Sequence, residues 1–138
     1  MLKLLDWSCA IQLDMVDFDN YLKGLLNQIF ESYQLLTNLE DKTGDLEIIK
    51  KELAKIKGLL QVIINKLNSI DNNSNDCVEL LSASYAYVKN YDFFREIETM
   101  SKLYFEDPHR LQNLRQTIID SFNDKKLIEK IESLMEKL

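Results

Sequence analysis

The stretch from Leu46 to Ile70 constrains this chain more than any other. Stepping alternately three and four residues meets Leu46, Ile49, Leu53, Ile56, Leu60, Ile63, Leu67 and Ile70, with no polar residue in the seam. Apolar side chains at that period share one face of an α-helix, whereas a half-buried strand would repeat every second residue. Leu at each first and Ile at each fourth position is a coiled-coil-like heptad. Ile48, Leu59, Val62 and Ile64 widen the stripe to what a helix inside a bundle needs. Asp45 stands at the expected N-cap, behind Thr43-Gly44. Asp71-Asn72-Asn73-Ser74-Asn75-Asp76 ends the helix, because such side chains compete for backbone hydrogen bonds.

Neighbouring segments repeat the theme. Leu4, Ile11, Met15, Phe18, Leu22, Leu25, Ile29, Leu36 and Leu39 fall on one seam, with Ser8 and Ser32 in its polar slots. They predict either one long helix or a short arm followed by a helix capped near Asp17 or Asp19. The link Glu40–Gly44 is short enough to make this an antiparallel hairpin with the Leu46–Ile70 helix. A third segment, Asp76 or Cys77 to Glu106, puts Leu80, Ser84, Tyr87, Tyr91 and Phe94 on one face. Asp107-Pro108 restarts the chain, since proline suits the first turn of a helix and disfavours helix in the residue before it. Leu111, Leu114, Ile118 and Phe122 give a fourth helix. Ile128, Ile131, Met135 and Leu138 give a last one, separate or continuous with it. Gly24 and Gly58 lie within these helical patterns, where a close helix crossing would offset their weak helix propensity. The expected fold is all-α: one domain over residues 1–138, an antiparallel bundle of four to five helices with coiled-coil-like heptad packing. Only three Gly and one Pro among 138 residues agree with long helices and few tight turns.

Within the third segment, Tyr87–Pro108 resembles one tetratricopeptide unit. Leu80 and Tyr87 match apolar positions of the unit's first helix, Asp92-Phe93 its turn and Asp107-Pro108 its end. The resemblance implies a bend near Asn90–Asp92. It departs at Glu96 and Leu103, where that family keeps Ala for close packing, and no second copy follows at the family's spacing.

Net charge is −6, unevenly spread: residues 1–49 carry nine acids and three bases, residues 50–70 one acid and five bases. Nucleic acid is therefore not an expected partner. Lys50, Lys51, Lys55, Lys57 and Lys66 are expected to flank the acidic first helix, the alternative being a basic stripe open to a phosphate-bearing partner. No apolar run approaches the ~20 residues of a membrane span. Asp6 interrupts the one N-terminal stretch that looks like an export signal, so a cytoplasmic protein is expected, with Cys9 and Cys77 as reduced, buried thiols.

No catalytic, metal or cofactor site can be assembled. Glycines are never clustered as a phosphate loop requires, and the lone histidine, His109, reads as a surface residue in the first turn of a helix. Its Glu106-x-x-His109 spacing contains a helix-breaking proline and has no second copy, so it is not half of a di-iron site. What remains is surface for proteins. Tyrosine offers a large apolar body with a polar tip, so those of Tyr85, Tyr87, Tyr91 and Phe94 that core packing, the competing and favoured reading of an aromatic stripe, leaves exposed are the candidate partner-binding residues. The expected role is a non-catalytic protein-interaction or adaptor module, plausibly self-associating as a homo-oligomer. The alternative is a small acidic inhibitor whose Asp14, Asp17 and Asp19 engage a basic protein.

Overall fold

The computed structural model describes residues 15–69 and 74–138. Among these residues six α-helices follow one another: α1 (Met15–Asn38), α2 (Asp45–Asn68), α3 (Asn75–Asn90), α4 (Phe94–Leu103), α5 (Pro108–Asn123) and α6 (Leu127–Lys137). The described residues contain no strand. The all-α bundle is the observed architecture. Helices α1, α2, α3 and α6 form a ring in which each packs on the next, α5 lies against α1 and α6, and α4 bridges α2 and α5.

The heptad seam explains why α2 is central. Leu46, Ile49, Leu53, Ile56, Leu60, Ile63 and Leu67 are all buried, as are Leu22, Leu25, Leu26, Ile29 and Leu36 of α1. Ile70, and the residues of the first segment before Met15, lie outside the described residues. The polar slot at Ser32 is filled usefully: its hydroxyl donates to Glu52 Oε1 at 2.7 Å across the α1–α2 interface. The described seam residues of α2 are buried within one chain, the intramolecular way of satisfying that face.

Side chains help to set the starts of α3, α4 and α5. Asp45 is the first residue of α2, not its cap; Gly44 precedes it at φ +96°, a left-handed angle that glycine adopts without steric cost. The Asp45 carboxylate instead accepts from Lys42 N at 2.9 Å. Ser74 caps α3 by accepting from Cys77 N. Asp92 accepts from Phe94 N at the start of α4. Asp107 accepts from both His109 N and Arg110 N, ahead of Pro108 at the first turn of α5.

The third segment is divided at Tyr91–Phe93, at the bend that the sequence allows. The C-terminal segment is divided too: Lys125 and Lys126 adopt positive φ values of 61° and 57°, which stops α5 from running on into α6. Two expectations are corrected. A Cβ built on Gly24 or Gly58 meets nothing within 4 Å, so neither glycine serves a close helix crossing. Among the described ion pairs none joins α1 to α2 either. The described cross-element ion pairs are Arg115–Asp41, Lys130–Glu79 and Lys137–Asp76, and none involves Lys50, Lys51 or Lys55. Lys57 donates to the Tyr91 carbonyl at 2.8 Å, and Lys66 sits 5.7 Å from the Tyr21 ring centroid.

Candidate functional site

The four aromatic candidates part company. Tyr87 is buried in the core, stacked 4.6 Å from the Phe122 ring, with its hydroxyl 3.0 Å from Ser121 Oγ. Tyr91 is half-buried; its ring stacks on Tyr87 at 5.0 Å and its hydroxyl donates to Asp124 Oδ2 at 2.7 Å. Burial raises the Tyr87 phenol well above its ordinary value, and the hydrogen bond to Asp124 raises that of Tyr91. Tyr87 therefore serves packing, and Tyr91 ties the end of α3 to the end of α5. Tyr85 and Phe94 are 56% and 61% exposed, as partner residues should be, but they stand on different helices.

A different set of residues builds a concave surface. Where α4 meets α5, a groove of about 490 Å³ has Phe93, Met100 and Leu114 as its apolar floor. That volume is in the range of sites that hold several ligand side chains. Its end wall is Tyr104, with the Arg110 guanidinium 3.8 Å from the ring centroid. A planar cation at that distance over an aromatic face is held by the ring quadrupole and kept from swinging freely. Arg110 Nε also lies 3.4 Å from Asp107 Oδ2. Arg95, Glu96 and Thr99 line the α4 side, Asn113 and Thr117 the α5 side. Beyond Tyr104, Leu103 and Phe105 are 68% and 55% exposed and line a further depression that shares Tyr104 as a wall.

Local sequence accounts for this surface. In the ten-residue α4 only Ile97 and Met100 are buried, so the helix is held by a narrow stripe and shows most of its circumference to solvent. The Asp107-Pro108 stop then brings the start of α5 back beside the end of α4, which seats Arg110 on Tyr104. The signal that sequence reasoning missed is the apolar run Leu103-Tyr104-Phe105 at a helix end directly before a proline-initiated helix. Such a run belongs to neither helical stripe.

Chemical machinery is not gathered here. His109 is exposed, and its backbone N–H is held by Asp107. Among the described residues no cluster of three or more His, Cys, Asp or Glu could hold a metal ion. Cys77 is buried and disulfide-bonded, not the reduced thiol expected; Cys9 lies outside the described residues. Stable disulfides belong chiefly to oxidising compartments, so cysteine chemistry no longer argues for the cytoplasm. No described helix is long and apolar enough to cross a membrane. No protein-family model, curated protein or solved structure matches the chain.

Proposed function

We propose that the protein is a non-catalytic interaction module that seats a protein partner in the α4–α5 groove. One observation carries the reading: large apolar side chains, Leu103 and Phe105, remain exposed beside an apolar-floored groove, while the core is already closed without them. Exposed apolar surface next to a concavity with a polar rim is the usual form of a docking site. The Tyr104–Arg110 pair supports it, because aromatic and arginine side chains are the commonest energetic anchors of interfaces.

The acidic-inhibitor alternative gains no support. Asp14 and the side chain of Asp17 lie outside the described residues, and Asp19 is buried and engaged in an interaction of its own. A site-specific test uses a photo-reactive phenylalanine analogue placed at Asn113 or Thr99, with Lys55 on α2 as the distant exposed control. Adducts to one partner from the two groove positions and none from Lys55 are the expected result. Equal adducts from all three, or none from the groove, would end the proposal.

A further inference from the structure

Resting on that reading, we infer that the groove selects an acidic, apolar peptide segment: an amphipathic helix of a partner protein that sets a large aliphatic or aromatic side chain on the floor and turns carboxylates toward Arg95 and Arg110. The sign of the groove is the starting point. The chain as a whole carries −6, yet the groove is lined by two arginines and one glutamate. Arg95 is exposed and enters none of the described ion pairs. Arg110 is oriented by Tyr104, and its Nε lies 3.4 Å from Asp107 Oδ2. A guanidinium has five N–H donors in a planar fork, so the remaining edge matches a carboxylate in geometry as well as in charge.

The floor fixes the other half of the occupant. Phe93, Met100 and Leu114 offer no charged group, and a methionine floor adapts to side chains of differing shape. Thr99, Asn113 and Thr117 can accept or donate along the rim without adding charge. Glu96, the neighbour of Arg95, opposes an acidic occupant and so limits how tightly one binds.

The test titrates the isotope-labelled full chain with three acetylated, amidated peptides of about twelve residues, a length at which isolated helices are marginal in water. All carry leucine at i, i+4 spacing, with flanking positions Glu, Gln or Lys. The expected result is backbone shifts at Thr99, Tyr104 and Asn113, with the Glu peptide about three- to fivefold tighter than the Gln peptide, the scale of exposed ion pairs. Arg95→Glu should erase that preference and Glu96→Gln should enlarge it, both at exposed positions that the fold does not need. If the three peptides bind alike in the groove, charge selection is wrong while the docking role stands. Shifts confined to other helices, no binding by any peptide, or groove shifts that grow with protein concentration alone would each overturn the inference, the last by making a second copy the occupant.

Discussion

Arg115 ties α5 to the end of α1 and to the α1–α2 link. From α5 its Nε and one terminal nitrogen reach both oxygens of Asp41, at 2.7 and 3.1 Å, while the other nitrogen donates to the Leu36 carbonyl at 3.0 Å. The last carbonyls of α1 lack intrahelical donors, and Arg115 supplies one. Both side chains of the pair are nearly buried, so water competes weakly. Asp41 sits at φ +64° in the α1–α2 link, an angle that the bidentate contact helps to hold. The hydrogen bond to Asp41 raises the guanidinium further above its already high value. Arg115→Ala is expected to cost about 2 kcal/mol, the scale of charge-assisted hydrogen bonds. Arg115→Lys should recover only part of it, because a single ammonium cannot serve two carboxylate oxygens and a carbonyl at once. Urea unfolding followed by circular dichroism gives both differences, and equal stability of the alanine variant and the parent would refute the account.

At the scale of elements, what could be read in advance is what depends on period. The Leu46–Leu67 seam is legible because six spacings of three and four residues admit only a helix, and each of those side chains is buried. The break after Asn90 is where the tetratricopeptide resemblance implies a bend, and Asp92 there accepts from Phe94 N at the start of the next helix. Phe94 was misplaced for a physical reason. Its membership of the Leu80–Tyr87 face assumed unbroken helical phase, but the three non-helical residues at 91–93 reset that phase and Phe94 emerges at 61% exposure. The groove was illegible because it forms between two helices whose mutual placement no local pattern states. Gly58 yields a prediction at the same scale. It lies mid-α2 with no neighbour within 4 Å of a built Cβ and no positive φ, so alanine there should gain roughly 0.5–1 kcal/mol by restricting the unfolded chain. A rise in thermal midpoint for Gly58→Ala checks this; a fall would mean that α2 meets something close at that position.

Across the whole molecule, the end of α3, the middle of α2 and the end of α5 converge on the paired phenols. Tyr87 and Tyr91 close α3, Lys57 of α2 donates to the Tyr91 carbonyl, and Ser121 and Phe122 of α5 meet Tyr87, with Asp124 just beyond receiving Tyr91. Both phenols are shifted upward from the ordinary value of 10.0, Tyr87 by burial and Tyr91 by its bond to Asp124. The folded chain therefore holds these two protons more tightly than the unfolded chain does. By linkage, the stabilisation is fully present below the unfolded value and is lost as pH rises from about 10 toward the folded values. Rising pH also deprotonates lysines and deepens the net negative charge, so the wild-type decline alone would not identify its source. Tyr87→Phe separates the two effects. At neutral pH it gives up the Ser121 contact, about 1 kcal/mol, but it has no phenol to ionise in the core. Its denaturation midpoint should consequently fall less steeply than that of the parent above pH 10, and the gap between the two proteins should narrow. Parallel declines would show that the buried phenol is not what limits the bundle in alkali.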